Sequence, residues 1–191
     1  MLARLLRRWS PSLLLPLVRL ARWAGITANQ VTLAGLLLAV AAGLLIALGL
    51  PVAAGIVLLL SGVLDALDGE LARQSAGATP LGGFLDSVAD HYGDLAVYLG
   101  IFWVALEAGD RLTLLLVLLA MFGSLVGSHI RSRAGALGLE LKDVGFFTRA
   151  ERIIVFSVGL LTGLLTPAVA ILALAHNLSA LQRLGYVTLR G

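Results

Sequence analysis

Long apolar stretches dominate this sequence and decide what it can fold into. They lie at residues 31–50, 52–72, 82–106, 112–130, 152–166 and 168–188. Most of them reach the ~20 residues that a helix needs to cross the hydrocarbon core of a bilayer. With 59% hydrophobic and 13% charged residues, the chain is too apolar for an ordinary soluble domain. The pattern predicts an all-α integral membrane protein, a bundle of six transmembrane helices joined by short loops.

The beginning of the chain has a different character. Up to residue 24, arginines alternate with leucine and tryptophan, and Pro11 and Pro16 interrupt the segment. We predict an amphipathic juxtamembrane helix within residues 1–24 and one membrane domain over residues 25–191. A signal peptide is the alternative, but its apolar core from Leu13 to Val18 would be short and no small-x-small cleavage site follows.

The basic residues predict the orientation of the bundle, because arginines and lysines in short loops stay on the cytoplasmic side. With a cytoplasmic N-terminus, six spans leave Arg111 as the one basic residue outside. We therefore expect a multi-pass protein of the cell inner membrane with both termini in the cytoplasm. The net charge of +3 reflects this topology and not a nucleic-acid partner, since no basic face with interleaved aromatic residues is present.

Four carboxylates stand at the ends of the second and third apolar stretches, where charge is costly. Asp65 and Asp68 lie three residues apart, and Asp86 and Asp90 lie four apart, so each pair shares a helix face. Four converging carboxylates repel one another, and oxygen ligands without His or Cys suit Mg²⁺ or Mn²⁺. The spacing predicts a cytoplasmic site for two such ions, which would hold a phosphate or a diphosphate.

Smaller residues and one arginine surround these carboxylates. Gly69 and Gly82 would let a bulky ligand approach the helix backbone closely, and Arg73 would pair with a phosphate. For either glycine by itself, helix packing is the alternative, because small residues are common where membrane helices meet. Glu70 also lies beside the pattern, and we expect its side chain to point away from the site.

The complete pattern reads Asp65-x2-Asp68-Gly69-x2-Ala72-Arg73-x8-Gly82-x3-Asp86-x3-Asp90. It resembles the full signature of the CDP-alcohol phosphotransferase family. The segment from Thr27 to Thr32 is also similar to the family's N-terminal Thr-Pro-Asn-x-x-Thr element, with Ala28 in place of proline. The resemblance implies a six-helix membrane enzyme of phospholipid biosynthesis. Such an enzyme transfers a phosphatidyl or archaetidyl group from a CDP-linked lipid to an acceptor hydroxyl and releases CMP.

The same resemblance implies a role for each residue of the motif. Asp65 and Asp86 would bridge two Mg²⁺ ions, and Asp68 would complete one of them. Asp90 would complete the other and would also be the catalytic base. The residues implied to bind CDP-diacylglycerol or CDP-archaeol are Asn29, Gln30, Val31, Thr32, Gly69, Ala72, Arg73, Thr79 and Gly82.

A second polar cluster lies around the loop between the fourth and fifth apolar stretches. It is similar to the acceptor region of the phosphatidylinositol-phosphate synthase branch, which implies that Arg131, Arg133, Arg149 and Arg152 bind an inositol phosphate. The last two stand at a helix start, where the macrodipole disfavours cations unless an anion or Glu151 compensates. Alternatively, these arginines only anchor helix ends, and glycerol 3-phosphate or another small polar alcohol is the acceptor.

Two hypotheses of other classes compete with the enzyme. A cation transporter would favour carboxylates at the bilayer midplane and internal repeats, and the sequence shows neither. A membrane scaffold, or a homodimer of the enzyme, would be favoured by small-residue spacing such as Gly123-x3-Gly127 and Gly159-x3-Gly163. Near the motif, we interpret His91 as structural and Asp94 as either an orienting partner or a solvated residue.

Overall fold

The computed structural model describes residues 14–74, 79–141, 144–145 and 147–190. Within these residues all regular secondary structure is helical, which confirms the predicted all-α class. Helix α1 is described over residues 14–23. It is followed by α2 (Ala28–Ala47), α3 (Pro51–Gln74), α4 (Pro80–Glu107), α5 (Arg111–Ala136), α6 (Arg149–Thr162) and α7 (Leu165–Arg190).

Turn and capping residues set the ends of these helices. The backbone N–H of Thr27 donates to Gln30 Oε1 at 2.9 Å, which forms a capping box at the start of α2. Pro80 opens α4, where its missing N–H costs nothing. Asp110 caps α5 by accepting the Thr113 N–H at 3.0 Å, and hydrogen bonds from the Thr113 hydroxyl and backbone lower the pKa of Asp110. Gly163, with φ of +76°, ends α6.

Helices α2, α3, α5 and α7 are each long and apolar enough to cross a membrane. Several such helices indicate a multi-pass membrane protein, and four of the six predicted spans have the length and composition of a membrane helix. Helix α4 carries Asp86 and Asp90 in its N-terminal half and Asp94 at its middle. Helix α6 has only 14 residues, or ~21 Å at 1.5 Å per residue, which is less than the ~30 Å hydrocarbon thickness.

Most of the predicted juxtamembrane segment lies outside the described residues. The described part, residues 14–23, buries Leu14, Val18 and Ala21 and exposes Arg19 and Arg22. The buried side chains form an apolar cluster with Val31 of α2 and with Leu67 and Leu71 of α3. Helix α1 thus packs against α2 and against α3, which carries the first half of the motif.

The chain divides into two compact units, residues 1–100 and 101–191. In the first unit, α2 packs on α3, and Ser61 Oγ donates to the Gly35 carbonyl at 2.8 Å. Helix α2 also meets α4 backbone to backbone: a Cβ on Gly43 would overlap the Ala96 carbonyl, and one on Gly100 would overlap the Gly43 carbonyl. These two glycines allow the close crossing that brings α4 onto α2.

In the second unit, α7 packs on both α5 and α6. A Cβ on Gly123 would lie 2.9 Å from the Asn177 backbone nitrogen, and one on Gly159 would lie 2.5 Å from Ala168 Cβ. Gly123 and Gly159 are therefore used for packing within the unit, whereas Gly163 ends α6 and has no close neighbour among the described residues. The small-residue spacing gives no support to a scaffold, and the homodimer stays a prediction.

Candidate active site

Three of the four predicted metal ligands come together where α3 and α4 approach. Carboxylate oxygens of Asp65, Asp68 and Asp86 all lie within 4.8 Å of one another. Asp68 is buried, with 5% of its surface exposed, and the other two are half-buried. Three carboxylates this close repel one another strongly unless a cation lies among them. Their oxygen-only donor set fits Mg²⁺ or Mn²⁺.

Asp90 lies four residues after Asp86 on α4, on the same face of the helix and half-buried. It is not one of the three mutually close carboxylates. Its roles as the remaining ligand and as the base therefore stay predictions. His91 Nδ1 lies 2.6 Å from the Ser87 carbonyl of its own helix, which agrees with a structural histidine.

Thr32 contacts the carboxylate cluster directly. Its hydroxyl donates to Asp68 Oδ2 at 2.7 Å and lies 3.1 Å from the Ala28 carbonyl of its own helix. A buried carboxylate needs such a partner, and a hydrogen bond from a neighbour fixes the orientation of a metal ligand. The resemblance implied that Thr32 binds the CDP-lipid, whereas the structure places its hydroxyl on a predicted metal ligand.

Three of the predicted donor-binding residues meet at the start of α4. A Cβ built on Gly82 would lie 3.3 Å from Asn29 Oδ1 and 3.2 Å from Thr79 Oγ1. Thr79 accepts the Gly82 N–H at 3.0 Å, and both Thr79 and Asn29 are exposed. The missing side chain at Gly82 leaves these two polar groups side by side and open to a ligand.

Two other predicted donor-binding residues have local structural contacts. Gln30 closes the capping box with Thr27, and Val31 is 7% exposed within the apolar cluster of α1, α2 and α3. Both side chains therefore hold the start of α2 in place. Their contact with a CDP-lipid stays a prediction.

Arg73 lies across Gly69 and is held by Glu70. Arg73 Nη1 is 3.5 Å from the position of a Gly69 Cβ, while Nε and Nη2 donate to Glu70 Oε2 at 3.1 and 2.8 Å. Gln74 Nε2 donates to the other Glu70 oxygen at 2.7 Å. Glu70 is not one of the three close carboxylates, and its contact with Arg73 is a role that the sequence analysis did not assign to it. The Glu-x2-Arg spacing was the sequence signal. Ala72, between them, is half-buried.

The predicted acceptor residues lie in the second unit, on two helices. Arg131 and Arg133, at the end of α5, are exposed, and Arg149 and Arg152, at the start of α6, are half-buried. Glu151 accepts the Thr148 N–H at 2.9 Å and caps α6. Glu151 thus supplies part of the negative charge that the helix start needs.

Arg183 of α7 belongs with these basic residues, although the sequence indicated only a topological role for it. Its Nε donates to the Val144 carbonyl at 3.0 Å and its Nη1 to the Gly127 carbonyl at 2.9 Å. The positive charges of Arg183 and Arg131 repel each other. Arg152 also interacts electrostatically with His176, which lies on α7 like Arg183. The signal that could have found Arg183 is a cation within an apolar helix.

Known proteins resemble this chain over nearly its whole length. The sequence model of CDP-alcohol phosphatidyltransferases matches residues 25–181. The archaetidylinositol phosphate synthase of Methanothermobacter thermautotrophicus is 39% identical over 166 residues, which cover 84% of this chain and 82% of that protein. The phosphatidylinositol phosphate synthase of Mycobacterium tuberculosis is 36% identical over 146 residues, which cover 75% of this chain and 67% of that protein.

Solved structures give the same result. The M. tuberculosis phosphatidylinositol phosphate synthase with CDP-DAG bound has a TM-score of 0.80 and 33% identity, covering 90% of this chain and 92% of that one. The same enzyme with manganese and citrate has a TM-score of 0.82 and 32% identity, covering 91% and 88%. The family match spans the carboxylate motif and the arginines from Arg131 to Arg152, and the protein is a transferase. By motif, fold and sequence, the chain belongs to the CDP-alcohol phosphatidyltransferase family.

Proposed function

We propose that this protein transfers a phosphatidyl or archaetidyl group from a CDP-lipid to the hydroxyl of an inositol phosphate and releases CMP. The carboxylate cluster carries the proposal. Asp65, Asp68 and Asp86 place oxygens within 4.8 Å of one another at a membrane helix end, an arrangement that calls for divalent cations. The names of the relatives, which are archaetidylinositol and phosphatidylinositol phosphate synthases, support this choice of acceptor.

The carboxylates would do two different kinds of work. Asp65, Asp68, Asp86 and Asp90 would hold two Mg²⁺ or Mn²⁺ ions. When bound, these ions would neutralise the donor diphosphate and stabilise the charge that develops during displacement. Asp90 would take the proton of the acceptor hydroxyl while that oxygen bonds to the β-phosphorus. The bond from this phosphorus to CMP breaks, and CMP leaves with its electron pair.

The donor would be held by groups that the structure leaves open. Asn29 and Thr79 are exposed beside Gly82, and Arg73 presents its guanidinium over Gly69. Amide, hydroxyl and guanidinium groups suit the base, ribose and phosphates of a cytidine nucleotide. The solved relative with CDP-DAG bound supports a lipid donor of this type.

The acceptor phosphate would be held by Arg131, Arg133, Arg149 and Arg152. Guanidinium groups bind phosphate through two parallel hydrogen bonds, and Arg183, which acts electrostatically on Arg131, extends the positive region. Glycerol 3-phosphate carries the same phosphate and is the alternative acceptor. Because the phosphate is common to both acceptors, the enzyme would distinguish them by the inositol ring.

A membrane topology completes the proposal. We infer that α4 and α6 also cross the bilayer, giving six spans with both termini and the carboxylate site on the cytoplasmic side of the inner membrane. The 28 residues of α4 correspond to ~42 Å, more than the hydrocarbon thickness. Helix α6 is short, and local thinning of the bilayer would accommodate it. We expect a homodimer, as the sequence analysis predicts.

The test is release of CMP by the purified protein in lipid. CDP-diacylglycerol and CDP-archaeol are each offered with inositol phosphate, inositol, glycerol 3-phosphate or serine. We expect Mg²⁺-dependent release of CMP with inositol phosphate and little with the other three. Release of CMP with glycerol 3-phosphate alone would show that glycerol 3-phosphate is the acceptor. No release with any pair of substrates would refute it.

A further inference from the structure

We propose that Glu70 is a positioning residue that fixes Arg73 for the CDP-linked donor. The inference rests on the proposed function, in which Arg73 binds the donor, and it adds a residue outside the family signature. Glu70 occupies one of the variable positions of the motif, Asp68-Gly69-x2-Ala72-Arg73. The resemblance gives it no role.

The two partners differ sharply in their surroundings. The Glu70 side chain is 10% exposed and that of Arg73 is 65% exposed. A carboxylate is rarely buried unless it is paired, and Glu70 has two partners. Arg73 donates to one of its oxygens and Gln74 to the other, at 2.8 and 2.7 Å. Both oxygens are thus engaged, and Glu70 is a buried partner that holds an exposed side chain.

The contact with Glu70 uses one edge of the Arg73 guanidinium group and leaves the other edge for a ligand. Arg73 uses Nε and Nη2 on the same Glu70 oxygen, while Nη1 lies 3.5 Å from the Cβ position of Gly69. Among the described contacts, Nη1 is the terminal nitrogen that no protein group accepts from. Glu70 therefore turns this nitrogen toward the bare backbone at Gly69, where the missing side chain leaves room for a phosphate.

Holding the arginine in advance has a direct benefit for binding. A free arginine side chain loses much rotamer freedom when a ligand immobilises it, and this loss weakens binding. Glu70 imposes that loss during folding, before the donor arrives. Glu70 itself lies outside the group of three close carboxylates, so it acts on the donor through Arg73 and not through the metal ions.

Glu70→Gln tests the inference, because it keeps the shape and removes the charge. With purified protein in lipid and Mg²⁺, we expect the Kd of soluble CDP to rise roughly tenfold, the size of a hydrogen bond to a charged group. In turnover, the KM of the CDP-lipid should rise in parallel and the KM of the acceptor should not. Glu107→Gln, an exposed glutamate at the end of α4, is the control and should change neither value.

A double-mutant cycle separates positioning from a general structural effect. If Glu70 acts through Arg73, adding Glu70→Gln to Arg73→Gln should weaken CDP binding no further than Arg73→Gln alone. Multiplying effects would overturn the inference. Gln74→Ala is the second variant, in case Glu70→Gln folds poorly. It frees one Glu70 oxygen and should give a smaller rise in Kd that also vanishes without Arg73.

The outcomes also separate this inference from the proposed function. If the wild type binds CDP in a Glu70-dependent way but releases no CMP, the proposed function fails and the inference stands. If CMP is released and Glu70→Gln matches Glu107→Gln, the inference fails and the function stands. If the wild type neither binds CDP nor releases CMP, both fail.

Discussion

Replacing Thr32 with valine should weaken metal binding without unfolding the protein. Valine has the shape of threonine but lacks the hydroxyl that donates to Asp68 Oδ2 at 2.7 Å. That bond keeps one oxygen of a buried carboxylate occupied and leaves the other for an ion. Without this hydrogen bond, the Asp68 carboxylate loses its fixed orientation. Its ionised form also loses a hydrogen-bond donor at a buried position, where water cannot replace it.

The size of the effect follows from the burial of Asp68, which is 5% exposed. A hydrogen bond to a charged group contributes about 1.5–3 kcal/mol, or roughly a factor of 10–100 in an equilibrium constant. Loss of a group that orients a metal ligand typically has an effect of this size as well. We therefore expect the Kd for Mn²⁺ to rise about 10- to 100-fold.

Titration with Mn²⁺, followed by electron paramagnetic resonance of the free ion, measures this Kd without any substrate. Thr162→Val is the matched control, because the Thr162 hydroxyl donates only to the Val158 carbonyl of its own helix, at 2.7 Å. An unchanged Mn²⁺ affinity in Thr32→Val, together with weaker CDP binding, would refute the assignment to Asp68. It would favour the role in donor binding that the family resemblance implies.

Four further predictions concern the other parts of the protein. Asp90→Asn should abolish CMP release while Mn²⁺ binding partly survives; complete loss of Mn²⁺ binding would make Asp90 chiefly a ligand. Arg152→Ala should raise the KM of a phosphorylated acceptor about tenfold, as for a lost charged hydrogen bond, and equal effects on the CDP-lipid would indicate only a topological anchor. Because the chain has no cysteine, Ala136→Cys and Leu164→Cys should react with an impermeant maleimide from opposite sides of the membrane; labelling from one side would exclude α6 as a span. Gly43→Val should lower the melting temperature strongly, since its side chain would enter the Ala96 carbonyl, and an unchanged value would show that α2 and α4 do not meet there.

The sequence was most informative about residues that lie on the same helix. Asp65 and Asp68 share a face of α3. Asp86 and Asp90 share a face of α4, one helical turn apart. These relations depend only on the period of the helix, so they follow from the residues alone. Some helix ends were also predictable, because Pro51 and Pro80 mark them. The end of α6 was not: the fifth apolar stretch runs to residue 166, whereas Gly163, with φ of +76°, ends the helix after Thr162.

Contacts between helices were not predictable in this way. Thr32 meets Asp68 because of how α2 lies on α3, and Arg183 reaches the Gly127 carbonyl because of how α7 lies on α5. No pattern along either helix records which side chain of a neighbour it will face. The contact of Glu70 with Arg73 follows from the Glu-x2-Arg spacing on one helix, whereas the burial of Glu70 depends on the packing of the helices.

The position of Asp90 on α4 would suit the two proposed tasks, metal binding and proton transfer. Four residues along α4 correspond to a rise of ~6 Å, so Asp90 stands one turn from Asp86 along the axis. Asp65, Asp68 and Asp86 lie within 4.8 Å of one another and so form a ligand group without it. A base must reach the acceptor hydroxyl, whereas a ligand must stay with the ions. If Asp90 is the base, one turn of displacement on a shared face would let it reach the acceptor hydroxyl while it stays close enough to contribute to holding the ions. Its amide variant should then lose turnover before it loses metal.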